Sequence, residues 1–250
     1  LKKVLKIAGI ALLAVLAVVL LYVGYVFGTY SRIEDNQALS VTQGSGGVQT
    51  AEADTEYKVL CWNIGFGAYE DDFGFFMDGG TESRAWSEAR LTENLTEIGS
   101  FLQEQAADFY LVQEVDMGST RTYQVDERPY ITDALPGLSS VFCQNYDSPY
   151  LFYPLTRPHG ASRSGLLTLS AAGITAASRV ELPVEGGFMK LLDLDRCYSV
   201  SRIPAENGKE LVLYNLHLSA YTSDGTIATE QLKLLLADMQ AEYDAGNWCV

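Results

Sequence analysis

The feature that most constrains the fold of this chain is an apolar strand that ends abruptly on polar side chains. Residues Asp108 to Asp116 read Asp-Phe-Tyr-Leu-Val-Gln-Glu-Val-Asp. An uninterrupted apolar and aromatic run after a helical segment predicts a strand that is buried on both faces. Such a run normally stops where the chain meets solvent, and here it stops on Gln113 and Glu114.

A carboxylate at the end of a buried strand can hold a hard cation such as Mg²⁺, which takes oxygen ligands and keeps several waters. The same side chain can instead be a rim carboxylate that only solvates the strand end. Glu114 alone leaves both interpretations open, and the rest of the chain has to decide between them.

An uncharged apolar segment lies close to the N-terminus. Ile7 to Phe27 comprises 21 residues without a charge, and at about 1.5 Å per residue such a helix crosses the roughly 30 Å hydrocarbon core of a bilayer. A secretory signal has a shorter apolar region of about 7–15 residues followed by a small-residue cleavage site. The longer run, with no clear cleavage site after it, predicts an uncleaved transmembrane helix at residues 7–27.

The charges around this segment predict its orientation. Lys2, Lys3 and Lys6 precede it, whereas the flanking charges after it are mostly acidic. By the positive-inside rule, residues 1–6 lie in the cytoplasm and the rest of the chain lies outside, in a single-pass protein of the cell membrane. Residues 28–56 are rich in glycine and small polar residues, which predicts a flexible linker, and residues 57–250 form the folded domain.

The overall charge limits the class of partner. The formal net charge is −15, which repels a polyanion, so no broad nucleic-acid-binding surface is expected. The four cysteines are far apart in sequence and lack the spacing of a zinc site.

The order of the predicted elements brings two polar strand ends together. Residues 57–63 alternate like a strand that ends at Asn63, residues 66–83 form a long loop, and Ser83 caps a helix over residues 84–107. The strand that ends at Glu114 follows directly. A strand-helix-strand crossover makes the two strands parallel, so we expect Asn63 and Glu114 at the same end of one sheet.

The second half of the chain predicts antiparallel strands. Short apolar segments bounded by glycine, proline or charge cover residues 164–170, 176–182, 188–194, 197–203 and 210–218, with a hairpin turn at Asn207-Gly208. A helix over residues 226–243 and a new strand at residues 247–250 follow. The strand that ends at Leu218 places Asn215 and His217 on one face. For His217, a satisfied core histidine remains an alternative to a phosphate-facing one.

Four segments, in this order, resemble the endonuclease/exonuclease/phosphatase superfamily, which includes deoxyribonuclease I and bacterial sphingomyelinases. They are Trp62 to Gly65 (Trp-Asn-Ile-Gly), Gln113 to Asp116 (Gln-Glu-Val-Asp), Ser164 to Ser170 (Ser-Gly-Leu-Leu-Thr-Leu-Ser) and Asn215 to Leu218 (Asn-Leu-His-Leu). The resemblance implies an α+β fold, a sandwich of two mixed sheets flanked by helices in four layers (α/β/β/α), here preceded by the transmembrane helix.

The resemblance also implies roles for individual residues. Asn63, Asn215 and His217 would be catalytic, with His217 facing the phosphate, and Glu114 together with Asn63 would hold Mg²⁺ or Mn²⁺. The expected function is a membrane-anchored, metal-dependent phosphoesterase that uses water to hydrolyse a phosphodiester or phosphomonoester of a small molecule, a lipid head group or a nucleic acid. The alternative is a non-catalytic binding domain on the same fold.

The sequence departs from the superfamily in two motifs. A Gly-Asp-x-Asn motif, whose Asp orients the attacking water, and a terminal Asp-His pair are both missing. We therefore expect that the chain is C-terminally incomplete and that these 250 residues alone are inactive.

Overall fold

The N-terminal unit is a single long helix. The computed structural model describes residues 1–29, 31–46, 50–184, 195–219 and 225–250, and the chain divides into two compact units, Leu1–Ser31 and Arg32–Val250. Helix α1, Lys2–Thr29, is long and apolar enough to cross a membrane. A signal sequence near the N-terminus can satisfy the same criteria of length and hydropathy, so the transmembrane assignment stays a prediction.

The larger unit is a sandwich of two mixed sheets. In chain order, the first sheet contains β1 (Val41–Thr42), β2 (Val59–Asn63), β3 (Phe109–Asp116), β4 (Ser139–Asp147) and β5 (Arg163–Ser170), and its spatial order is β1-β4-β5-β3-β2. The second sheet contains β6 (Ala176–Glu181), β7 (Cys197–Pro204), β8 (Glu210–Leu216) and β9 (Trp248–Cys249), in that spatial order.

Two parallel pairs sit among otherwise antiparallel strands. Strands β2 and β3 are parallel because helix α2, Glu88–Gln105, carries the chain back between them. Strands β8 and β9 are parallel across helix α4, Thr226–Asp244. A short helix α3, Arg128–Thr132, packs beside α2. The crossover, the antiparallel second half and the terminal strand are therefore confirmed.

Strand β3 is buried on both faces, as its apolar run predicts. Phe109 and Leu111 pack between the sheets with Leu213 of β8, whereas Tyr110 faces the other way and packs with Leu102 of α2. Successive strand side chains point to opposite faces, so an all-apolar strand needs a cover on each side. Truncating a side chain as buried as Leu102 typically costs about 2–5 kcal/mol of stability.

Helix α4 covers the outer face of the second sheet. Its Leu235 packs with Val212 and Tyr214 of β8 and with Tyr198 of β7. With α2 outside the first sheet, the sandwich has the four layers that the sequence predicts.

The flexible linker predicted at residues 28–56 is wrong for those of its described residues that pair with the sheets. Strand β1 pairs with β4, Ala38 bridges to Ser178, and Ala51, which is buried, bridges to Ala205. Backbone pairing along a sheet edge needs no large apolar side chains, so the composition gave no sign of it.

Of two other predictions, one differs from the structure in the first residue of a helix, and the other falls outside the described residues. The helix predicted from Ser83 begins later, because Ser87 is the N-cap and accepts a hydrogen bond from the Arg90 amide at 3.2 Å. The Ser83 hydroxyl instead donates to the carbonyl of Arg157. The strand predicted at residues 188–194 lies outside the described residues.

Candidate active site

The site begins with an irregularity in β3. Two residues of β3, Gln113 and Glu114, stand opposite the single Leu166 of β5, so the antiparallel pairing shifts there. Glu114 has a φ of 58°, a left-handed conformation that costs a non-glycine residue energy. It is the one residue of β3 that is not buried. A bulge of this kind re-aims a side chain, and here it turns a carboxylate out of a buried strand.

Asn63 holds that carboxylate in place. The parallel register sets Asn63 of β2 opposite Gln113, and Asn63 Nδ2 donates to Glu114 Oε1 at 2.8 Å. The Gly65 amide donates to Asn63 Oδ1 at 2.9 Å. A backbone N–H can only donate, so it fixes which end of the amide faces Glu114. The predicted proximity of Asn63 and Glu114 is confirmed, but β3 does not end at Glu114 as predicted, because it continues to the buried Asp116.

His217 reaches the same place from the second sheet. It directly follows the last residue of β8, and its Nε2 lies 3.7 Å from Glu114 Oε1. Arg196 Nη1 donates to the His217 carbonyl at 3.1 Å and fixes the backbone there. Burial, and then the nearby charge of Arg196, lower the pKa of His217 against the opposing pull of Glu114. The imidazole is therefore neutral at neutral pH.

A cavity of about 890 Å³ opens over these three residues. One wall is apolar and aromatic and includes Trp62, which makes an edge-to-face contact with Phe101 at 5.1 Å between ring centroids. The lining also includes acidic and amide side chains, namely Glu70, which forms an ion pair with Arg90, and Asp78, Asn94 and Glu97. No lysine or arginine is among the described residues that line it.

The long loop predicted at residues 66–83 builds much of this wall and is anchored from below. Phe66, Phe73 and Phe75 pack against Leu91 and Leu95 of α2. The anchored loop then presents Tyr69, whose hydroxyl donates to Asp78 Oδ2 at 2.5 Å. The aromatic cluster therefore packs beneath the polar residues of the loop and supports this side of the cavity.

The donor set fits a divalent cation that keeps most of its own water. Glu114 uses Oε1 for Asn63, and its Oε2 has no hydrogen-bond partner among the residues that the structure describes. Mg²⁺ is usually bound by one or two carboxylates plus waters and substrate phosphate. In the described part of the chain, no three His, Cys, Asp or Glu side chains lie close enough together to cage a metal. A cation bound here would take its ligands from Glu114, from water and from the substrate.

Comparison with known proteins decides the fold. No family model and no curated protein matches the sequence. Among solved structures, the chain is similar to ANGEL2, a 2′,3′-cyclic phosphatase, in complex with adenosine-2′,3′-vanadate, with 15% identity over 84% of this chain and 52% of that one and a TM-score of 0.50. This chain has the endonuclease/exonuclease/phosphatase fold. Identity this low shows the fold and nothing finer.

Other structures with the endonuclease/exonuclease/phosphatase fold match more loosely. A family protein from Beutenbergia cavernae DSM 12333 is 19% identical over 72% of this chain and 43% of that one, with a TM-score of 0.47. Sphingomyelinase C from Streptomyces griseocarneus is 14% identical over 75% and 59%, with a TM-score of 0.45. The chain spans about half the length of the solved structures that it matches.

Asn215, predicted as catalytic, is buried behind the site and is not among the described residues that line the cavity. Its side chain is buried, accepts from Gln113 Nε2 at 2.8 Å, and donates to the carbonyls of Val112 at 3.3 Å and Leu167 at 3.2 Å. Strand β8 ends at Leu216, so the alternation that placed Asn215 and His217 on one face does not continue. Asn215 ties β8 to β3 and so positions the site.

The predicted role of Asn63 as a metal ligand does not fit the hydrogen bonds that its amide makes. Its Oδ1 is used by Gly65, and it shows a hydrogen-bond donor to Glu114. In this arrangement Asn63 orients the carboxylate and does not offer the metal an oxygen.

Some cavity residues were not predicted. Asn94, Glu97 and Phe101 lie on one face of α2, next to its apolar stripe. Their helical spacing is visible in the sequence, but only the loop packed against α2 reveals that this face borders a cavity.

Proposed function

We propose that this chain is a Mg²⁺- or Mn²⁺-dependent phosphoesterase that hydrolyses a phosphodiester or phosphomonoester with water. The observation that carries the proposal is Glu114, a carboxylate turned out of a buried strand on a strained bulge, fixed by Asn63 and placed 3.7 Å from His217. Strain of this kind is retained where it serves a site. Solved structures of the same fold include a cyclic phosphatase and a sphingomyelinase, which are phosphoesterases.

The charge of the cavity supports a metal-dependent reaction. A phosphoester is anionic, and the described lining of the cavity offers it acidic side chains and no lysine or arginine. A divalent cation on Glu114 would neutralise the phosphoryl oxygens and polarise the phosphorus centre when bound. Without it, the substrate would be repelled.

Each residue of the site then has one task. Glu114 supplies the protein oxygen for the cation, and Asn63 keeps that oxygen in place through its 2.8 Å hydrogen bond. His217, neutral because its pKa is lowered by burial and by Arg196, can donate its N–H to a phosphoryl oxygen. That bond strengthens as negative charge develops in the transition state.

The cavity favours a small or lipid-linked phosphoester over a polynucleotide. Its volume of about 890 Å³ holds a phosphate with one leaving group. Its acidic wall and the net charge of −15 oppose the long polyanionic track of a nucleic acid.

Metal binding is the first test, because turnover by these residues alone is predicted to be weak without the Gly-Asp-x-Asn and Asp-His motifs. Mn²⁺ binding to the full chain in detergent would be measured by electron paramagnetic resonance, with and without inorganic phosphate. Glu114→Gln should weaken Mn²⁺ binding at least tenfold, whereas Glu93→Gln, an exposed glutamate on α2, should not change it. Equal Mn²⁺ affinity in Glu114→Gln and the parent would reject the assignment.

Catalysis is tested separately with para-nitrophenyl phosphate and bis(para-nitrophenyl) phosphate at saturating Mg²⁺. Any Mg²⁺-dependent hydrolysis should fall to background in Glu114→Gln. A protein that binds no Mn²⁺ and hydrolyses neither ester would instead be the non-catalytic binding domain.

We also propose that α1 anchors the protein in the cell membrane with residues 32–250 outside. Lys2, Lys3 and Lys6 at the start of the chain support this orientation by the positive-inside rule. Protease added to intact cells should then remove the folded unit. Protection of that unit until the cells are lysed would contradict the orientation.

A further inference from the structure

Two cysteines from different sheets meet in the interior of the sandwich. Cys143 lies on β4 of the first sheet and Cys197 begins β7 of the second. Both side chains are fully buried, and their sulfur atoms are 3.5 Å apart although the residues are separated by 54 positions in sequence. They share one small apolar cluster with Leu166 and Leu39.

The separation of the sulfur atoms is close to that of a covalent bond. A disulfide has an S–S distance of about 2.05 Å, so the two sulfurs would have to approach by roughly 1.5 Å. Rotation about the side-chain bonds and a small movement of two neighbouring strands can supply that distance. The other two cysteines, Cys61 and Cys249, lie on the outer strands β2 and β9.

A buried arginine holds both cysteine-bearing segments. The Arg179 guanidinium donates to the carbonyl of Gln144, which follows Cys143, at 3.1 Å and to the carbonyl of Asp195, which precedes Cys197 by two residues, at 2.9 Å. The hydrogen bond from Cys143 and the charge of Arg179 lower the pKa of Cys197. The hydrogen bond to Cys197 and burial raise the pKa of Cys143.

We propose that Cys143 and Cys197 form a disulfide that covalently joins the two sheets when the chain folds in an oxidising environment. The oxidant is a disulfide of a small thiol or of an oxidoreductase. The thiolate of one of the two cysteines attacks one sulfur of that disulfide, forms a mixed disulfide and releases the first thiolate. The other cysteine then loses its proton and attacks the protein sulfur of the mixed disulfide, which releases the second thiol.

In total, two cysteine thiols lose two protons and two electrons, and one oxidant disulfide becomes two thiols. Because both sulfurs are fully buried in the finished sandwich, the exchange takes place before the sheets close. The proposal does not depend on the phosphoesterase activity. An extracytoplasmic domain would meet the oxidising conditions that such bonds require.

The test uses the full chain, unfolded with reductant and refolded in detergent in a buffer of oxidised and reduced glutathione. After denaturation, alkylation of free thiols and proteolysis, mass spectrometry should find the fragments with Cys143 and Cys197 joined, lighter by two hydrogen atoms than the separate thiols. Cys61 and Cys249 should be alkylated. Reductant should lower the thermal midpoint by roughly 5–15 °C.

Cysteine variants test whether the change in thermal midpoint on reduction comes from the Cys143–Cys197 disulfide. Cys143→Ala/Cys197→Ala should lose both the joined fragments and the response to reductant, whereas Cys61→Ser should keep both. The smaller alanines preserve an apolar cluster, so the double variant remains a folded control. Alkylation of both Cys143 and Cys197 in the refolded parent, their linkage to other cysteines, or an unchanged response to reductant in the double variant would each overturn the proposal.

Discussion

Asn63 Nδ2 lies 2.8 Å from Glu114 Oε1, which links the last residue of β2 to the bulge in the parallel strand β3, 51 positions away in sequence. The bond faces a cavity with acidic walls, and the carboxylate it fixes sits on a residue with a φ of 58°. The site thus combines a polar contact with a strained backbone conformation at one residue.

Strain at Glu114 should be measurable as a gain in stability when it is relieved. Glu114→Ala and Glu114→Gly both remove the acceptor of the Asn63 hydrogen bond, but only glycine takes the left-handed conformation without a Cβ. The glycine variant should therefore be more stable than the alanine variant by up to about 1 kcal/mol. Chemical denaturation checks this, and a glycine variant no more stable than the alanine variant would mean that the bulge is not strained.

Asn63→Asp should make the site depend on a cation. The aspartate can still accept from the Gly65 amide, but its second oxygen would face Glu114, and the repulsion should cost roughly 1–3 kcal/mol without metal. Two adjacent carboxylates bind a divalent ion better than one, so Mn²⁺ should raise the thermal midpoint of this variant more than that of the parent. Gln103→Glu adds the same charge on the exposed face of α2 and serves as the control. Equal Mn²⁺ responses in Asn63→Asp and the parent would contradict the prediction.

Alanine substitutions of Asn215 and His217 should have different effects, the first on stability and the second on turnover. Asn215→Ala takes one of two acceptors from the buried Gln113 amide, which keeps the Leu111 carbonyl, and takes the donor from the buried Thr168 hydroxyl. Such losses typically cost about 1–3 kcal/mol of stability. His217→Ala should lower turnover of a phosphoester with little change in stability or metal affinity. Denaturation curves and Mn²⁺ titrations of the two variants test this, and the opposite pattern would return Asn215 to the catalytic residues.

His159 should make the protein sensitive to acid. It is buried, with Nδ1 3.2 Å from the Ser83 carbonyl and Nε2 3.1 Å from Ser162 Oγ. Burial and the charge of Arg121 lower its pKa to about 4. The unfolded chain therefore binds the proton more tightly, and stability present above about pH 6.5 is lost as the pH falls toward 4, by about 3 kcal/mol.

The comparison between the parent and His159→Gln isolates this effect, since His217 titrates in both. The stability of the parent should fall more steeply between neutral pH and pH 4 than that of the variant, by denaturation at a series of pH values. Parallel curves would show that His159 is not responsible.

The sequence predicts those parts of the site that depend on one strand or one crossover. The apolar run before Gln113 and the strand-helix-strand order were enough to place Asn63 beside Glu114. The bulge was not predictable, because it is defined by how β3 registers with Leu166 on another strand. The burial of Asn215 was missed for a related reason: alternation holds within a strand, and β8 ends between Asn215 and His217.

The pairing of residues such as Ala38 and Ala51 with the sheets was not predicted, because it is determined by the residues opposite them and not by their own sequence. Ala38 and Ala51 are small, and only the bridges to Ser178 and Ala205 make them part of a sheet. Ser83 and Ser87 are equally good N-caps by residue type, and the choice is made by where the preceding loop packs.

The buried amide pair of Gln113 and Asn215 has a consequence for how such a protein can diverge. It joins the strand that carries Glu114 to the strand that leads to His217. Replacing both amides by leucine removes this bond and also the Asn215 donor to the buried Thr168 Oγ1 at 3.3 Å, so the exchange costs some stability. The apolar cluster between the sheets does not include these amides, so the sandwich could survive while its two sheets lose their common alignment. A lineage of this fold can keep every residue of the site and still become inactive.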